Sequence, residues 1–136
     1  MINSGPSILA VAQALTSAFA APNTIAVLAC NGYDKIGVRV SYTSNAAGAG
    51  GGYPTIRVRW TFLGAVTVFG LMQQGGILVP EDVALQGPGV VNTTVAQAFA
   101  LDVLPGASEL AIQVKETGDT TNVGTVTISA VLARNA

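Results

Sequence analysis

Hydrophobic and polar positions alternate by twos along much of this chain. In KIGVRVSYT (Lys35–Thr43), Ile36, Val38, Val40 and Tyr42 share one face, and Lys35, Gly37, Arg39, Ser41 and Thr43 share the other. TIRVRWTF (Thr55–Phe62) places Ile56, Val58, Trp60 and Phe62 on one side and Arg57 and Arg59 on the opposite side. VGTVTISAVLA (Val123–Ala133) does the same with Val126, Ile128, Ala130 and Leu132. Period-two alternation predicts strands with one buried face.

The remaining segments extend the pattern. Thr24–Ala29 reads as a strand, and Asn31–Gly32 as the turn after it. Ser44–Gly52, with four glycines and three alanines, reads as a loop. Further strands are predicted at about Ala65–Leu71, Ile77–Val79, Val90–Val103 and Ser108–Glu116, with Glu81–Gly89 as a long loop. Strands 35–43 and 53–62 are neighbours in sequence, so the simplest pairing is an antiparallel hairpin that brings Arg39 beside Arg57 and Arg59. No helix of ten or more residues separates consecutive strands, which argues against a parallel α/β fold. The expectation is an all-β fold: an antiparallel β-sandwich, an eight-stranded jelly roll first and an immunoglobulin-like sandwich second.

Residues 1–23 are expected to form an N-terminal arm or short helix, and residues 24–136 the sandwich. Ile8, Val11, Ala12, Leu15 and Phe19 follow a helical stripe, while ILAVA fits a strand equally well. The stretch lacks the basic start of a signal peptide, since the first lysine is Lys35, and it is too short to cross a bilayer. Ile8, Leu9, Val11, Leu15 and Phe19 are therefore expected to pack on a neighbouring subunit or to close an open end of the core.

Composition alters this picture in one respect. Of 136 residues, 10% are charged, against the quarter usual in soluble domains. The outward strand positions are mostly Thr, Ser, Gly and Ala, and the formal charge is −1. Nucleic acid is not an expected partner, because no basic footprint exists. Lys35, Arg39, Arg57 and Arg59 form the one basic cluster, readable as a solvated face or as an interface meeting carboxylates.

Candidate chemistry is sparse. There is no histidine, and Cys30 is the only cysteine, so neither a His-based nucleophile nor a zinc site nor an intrachain disulfide is available. Glu116, Asp119 and Asn122 share a loop, but Asp and Asn in a hairpin turn explain it better than calcium. No pair among Asp34, Glu81, Asp82, Asp102, Glu109, Glu116 and Asp119 is marked for glycoside hydrolysis. GAGGG is followed by no Lys-Ser/Thr, so it is not a phosphate loop. No enzymatic activity, metal or cofactor is expected. Tyr33 and Tyr53, at strand starts beside turns, are the candidate platforms for a glycan.

GYDKIGVRVSYTS, the glycine-rich loop, YPTIRVRW and LPGASELAIQVKETGDTTNVGTVTISAVL resemble the paired strands of small jelly-roll virion proteins of tailed bacteriophages, over roughly residues 30–134. The resemblance implies a structural protein that decorates or cements the capsid, usually as a trimer or hexamer. Its partners would be copies of itself and the major capsid or another virion protein. It would be located in the virion, assembled in the host cytoplasm. A carbohydrate-binding module of a fibre or tail, and a minor tail or head–tail completion protein, are the alternatives.

Overall fold

The computed structural model describes residues 2–3, 7–18, 24–62, 66–69, 72–74, 77–79 and 82–134. Twelve strands occur among them: β1 (Ile2–Asn3), β2 (Ser7–Ala14), β3 (Thr24–Ala29), β4 (Lys35–Thr43), β5 (Tyr53–Phe62), β6 (Val66–Phe69), β7 (Met72–Gln74), β8 (Ile77–Val79), β9 (Asp82–Ala84), β10 (Thr94–Asp102), β11 (Ala107–Thr117) and β12 (Thr125–Arg134).

They build two antiparallel sheets, here A and B. Sheet A runs β1/β2–β12–β4–β10, with β1 and β2 lying in succession along one edge of β12. Sheet B runs β3–β11–β5–β6/β9, with β6 and β9 in succession along one edge of β5. That makes four strand positions per sheet and eight in all. The chain passes back and forth between the sheets, and the last strands, β11 and β12, lie inside them. This interleaving is the connectivity of a jelly roll. The hairpin β7–β8 stands apart from both sheets, with β7 beside β10.

The core is the set of inward faces that the alternation marked. Ile36, Val38, Val40 and Tyr42 of β4 are buried, as are Ile56, Val58 and Trp60 of β5. Leu110, Ile112 and Val114 of β11 and Val126, Ile128, Ala130 and Leu132 of β12 complete it. On β4 the intervening Lys35, Gly37 and Arg39 are exposed.

Two expectations are corrected. Strands 35–43 and 53–62 do not form a hairpin. Both edges of β4 are taken by β10 and β12, and both edges of β5 by β11 and by β6 and β9. The loop 44–52 is long enough to cross the sandwich, so the two apolar faces oppose each other across the core instead of lying side by side. The long loop is also partly strand, since Asp82–Ala84 pairs with Arg57–Thr55.

Of the two readings left open for the N-terminal segment, Ser7–Ala14 is extended and pairs antiparallel with β12. An extended chain there satisfies the backbone groups along the second edge of β12, which a helix would leave open. Leu15 then turns inward and is 2% exposed. Its N–H donates to the Gly124 carbonyl at 3.1 Å, and the Thr16 carbonyl accepts from the Glu116 N–H at 2.8 Å. Residues 15–16 thus pass from sheet A to sheet B and close one end of the core. Leu15→Ala is expected to lower the unfolding free energy by about 2–4 kcal/mol. Urea melts followed by circular dichroism test this, and a loss below about 1 kcal/mol would contradict it.

Candidate interaction surfaces

Three loops gather at the end of the sandwich where β4 finishes: 44–52, 85–93 and 118–124. Ser44 ties the first to the second, its Oγ donating to the Val90 carbonyl at 2.6 Å and accepting from the Thr93 N–H at 3.1 Å. Asn45 ties the first to the third, its Nδ2 donating to the Val123 carbonyl at 3.0 Å. Gln97 breaks the apolar run of β10 for a similar purpose. Its amide receives the Gln86 N–H at 2.9 Å and donates to the Gln86 carbonyl at 2.8 Å. Gly118 has φ +86, and a Cβ there would run into the Gly51 carbonyl. Only glycine fits that left-handed position against the neighbouring backbone.

Beneath these loops lies a buried polar clasp. Glu116 of β11 is 1% exposed. Its Oε1 accepts from the Tyr42 hydroxyl of β4 at 2.6 Å and from the Gly124 N–H at 2.7 Å, while Oε2 has no hydrogen-bond partner. The clasp joins sheet A to sheet B. It also explains why Gly52 and Gly124 carry no side chain. A Cβ on Gly52 would lie 2.5 Å from the Tyr42 hydroxyl, and one on Gly124 would lie 2.6 Å from the Tyr42 ring.

Burial, then the bond to Glu116, then the nearby carboxylates of Glu116 and Asp119, raise the Tyr42 phenol well above its ordinary value. Above about pH 10 the unfolded chain loses this proton while the folded chain keeps it, so stability falls as pH rises. Tyr42→Phe cannot ionise there. Its unfolding free energy is expected to fall less steeply between about pH 9 and 11 than that of the parent, in urea melts across that range. Equal slopes would refute the assignment.

The acidic loop divides along the same line. Glu116 points into the core, whereas Asp119 holds the loop, accepting the Asn122 N–H at 3.0 Å and the Ala49 N–H at 3.4 Å. Among the described residues no three His, Cys, Asp or Glu side chains come together to hold a metal. Cys30 is fully buried, its Sγ 3.7 Å from the Ala107 carbonyl, and burial pushes its thiol up from 9.0. A raised thiol is less often a thiolate, so the site disfavours nucleophilic chemistry.

The basic cluster does not form, which follows from the missing hairpin. Lys35 and Arg39 lie on the outer face of sheet A, and Arg57 and Arg59 on that of sheet B. Lys35 lies 3.6 Å from Asp102, its register partner on β10, an exposed pair of small energetic weight. The Arg57 Nε donates to Gln113 Oε1 at 2.7 Å.

The two outer faces differ. On sheet B, Thr55, Ala111 and Gln113 point away from the core yet are 7%, 5% and 3% exposed. On sheet A, Gly37, Arg39, Thr94, Ala96, Ala98 and Ala100 are all exposed. That face holds a shallow depression of about 580 Å³ around Gly37. The blandness of this face is legible in the sequence, but the depression is not, its one signal being the glycine inside β4.

The two candidate tyrosines lie far apart. Tyr33 precedes β4 at one end of the sandwich, half-buried, with the Arg134 guanidinium 6.0 Å from its ring centre. It lines a depression of about 330 Å³ with Cys30, Asp34 and Leu104. Tyr53 begins β5 at the opposite end, half-buried beside Gly87 and Gly118. Of the N-terminal interface candidates, Leu15 lies in the chain's own core. Ile8, Leu9 and Val11 fall on β2, with Ile8 opposite Ser129, and Phe19 lies outside the described residues.

No family model matches the chain, and no curated protein sequence matches it either. Its fold is similar to several solved structures, three of which are described. The SPBc2 prophage-derived protein YomS matches with TM-score 0.54 at 12% identity, over 97% of this chain and 95% of that one. The PBSX exported protein XepA matches with TM-score 0.55 at 10% identity, over 97% of this chain and 38% of that one. A chain of infectious bursal disease virus, Gx strain, matches with TM-score 0.56 at 9% identity, over 97% of this chain and 32% of that one. At such identities the likeness establishes the fold: the chain is an all-β, two-sheet antiparallel sandwich of jelly-roll type.

Proposed function

We propose that this chain is a structural protein of a phage virion, a capsid decoration or cement subunit that self-associates and binds the particle surface. The observation that carries this reading is the outer face of sheet A. It is open, built largely of Gly, Ala, Ser and Thr, and carries few charges, Arg39 in its middle and the Lys35–Asp102 pair at one end. Interface centres are depleted in charge, and arginine is the charged residue they favour. A jelly roll that leaves such a face uncovered is suited to being covered by copies of itself or by a larger assembly.

Two of the similar structures support the same direction, since one is described as prophage-derived and another is that of a virus. In this reading the chain works by docking, as a trimer or hexamer, on the major capsid protein or another virion protein. The glycan-binding alternative would use Tyr33 or Tyr53, each half-buried, at opposite ends of the sandwich.

Size exclusion with light scattering tests self-association, and a single species at the monomer mass of 13.7 kDa would overturn it. Immunolabelling of the native particle, or saturable binding to purified capsids, tests the location. A protein absent from the particle would overturn the whole reading.

A further inference from the structure

Gly37 lies inside β4, between its register partners Ala100 on β10 and Val131 on β12. Its φ is not positive, and a Cβ there would meet nothing nearer than the Val131 carbonyl at 4.0 Å. The chain's own packing therefore does not require glycine at this position. A glycine inside a strand weakens it, and it often marks a place where another surface approaches closely. Its missing side chain forms the floor of the 580 Å³ depression, walled by Ala98, Ala100 and Val131 and edged by Arg39.

The same molecule carries an apolar projection. Val90 is 58% exposed, the one large hydrophobic left in solvent among the residues whose side chains the structure describes. It is held rather than loose. Its carbonyl accepts from Ser44 Oγ at 2.6 Å. The backbone of Gly50 packs so closely that a Cβ there would lie 3.2 Å from the Val90 Cα. An apolar side chain presented in a fixed conformation loses little freedom on docking.

Val90 and the depression cannot meet within one chain. Val90 is tied to Ser44, just past the end of β4, and Gly37 is seven residues back along the strand, roughly 23 Å away. We propose that Val90 of one copy seats in the Gly37 depression of the next. This deepens the self-association reading and rests on it. A projection and a depression at different places on the surface make a heterologous, head-to-tail contact, which forms a closed ring when the rotation between copies closes. The Arg39 guanidinium at the edge faces the incoming loop, where it offers donors to backbone carbonyls.

Light scattering on purified variants tests this. Val90→Asp and Gly37→Ile should each lose the oligomer and run at the monomer mass of 13.7 kDa with unchanged far-UV circular dichroism. Mixing them should give a 1:1 dimer that grows no further. The intact projection of Gly37→Ile has one intact depression to enter, that of Val90→Asp. If Gly37→Ile misfolds, Ala98→Glu in the same depression takes its place.

Variants that keep the parent's oligomeric mass, or a mixture that stays monomeric, would overturn the contact and leave the wider self-association standing. A monomeric parent would overturn both. A monomeric parent whose binding to purified capsids is lost in Gly37→Ile would assign the depression to the capsid and overturn the head-to-tail contact.

Discussion

Glu116→Ala is expected to lower the unfolding free energy by about 3–5 kcal/mol. The substitution leaves two buried donors, the Tyr42 hydroxyl and the Gly124 N–H, without an acceptor. Each unmatched buried donor costs roughly 1–3 kcal/mol, and the cavity adds to that. The damage also falls where sheet A is tied to sheet B, so relaxation in one sheet cannot restore the bonds. Glu116→Gln keeps an acceptor oxygen at the same place and is expected to cost only about 1–2 kcal/mol. For a domain of this size the alanine variant should melt about 10–20 °C lower. Thermal melts of both variants decide the matter. If glutamine is as damaging as alanine, the acceptor oxygen is not what the two donors require.

Trp60→Ala is the second large effect, at about 3–5 kcal/mol for truncating a buried aromatic side chain. Trp60 is fully buried at the middle of sheet B, paired with Leu110 of β11 on one side and Val68 of β6 on the other. It is the largest of the fully buried side chains. Trp60→Phe keeps most of the apolar volume and should cost less than half as much. Because Trp60 is the only tryptophan, unfolding of both variants is followed by circular dichroism rather than by its fluorescence. An alanine variant within about 1 kcal/mol of the parent would mean that this core can collapse around the void.

These two residues differ in how they could be found. Trp60 was legible in the alternation of TIRVRW, because an inward strand position has to be filled by a large apolar side chain. Glu116 was not. It continues the inward series Leu110, Ile112, Val114, and a carboxylate at the next inward place looks like the start of a polar turn. Its burial depends on Tyr42 and Gly124, which lie 74 and 8 residues away in sequence. Gln97 is a similar case. It interrupts an apolar face, and its reason is the Gln86 backbone, to which its amide is bonded in both directions.

The basic residues show the opposite failure. The outward placement of Lys35, Arg39, Arg57 and Arg59 follows from the alternation, but their grouping requires adjacent strands to pair, and these do not. Sequence adjacency is a weak guide when a loop is long enough to cross the core. The sheet partners of β4 are β10 and β12, far along the chain, and no local feature of residues 35–62 announces them.

By itself, then, the sequence determined the sandwich strands other than β1, β2 and β9, the inward and outward identity of nearly every core side chain, and the low charge of the exposed face. These are local properties, set by side-chain period and by turn residues within a few positions. Only the tertiary structure decided which strands pair, that the arginines part to opposite faces, that Glu116 meets Tyr42, and that Gly37 lies open on one face while Val90 projects from one end. Each of these depends on groups brought together from distant parts of the chain, where burial and backbone hydrogen bonding of the whole sandwich, rather than any local preference, choose the partner.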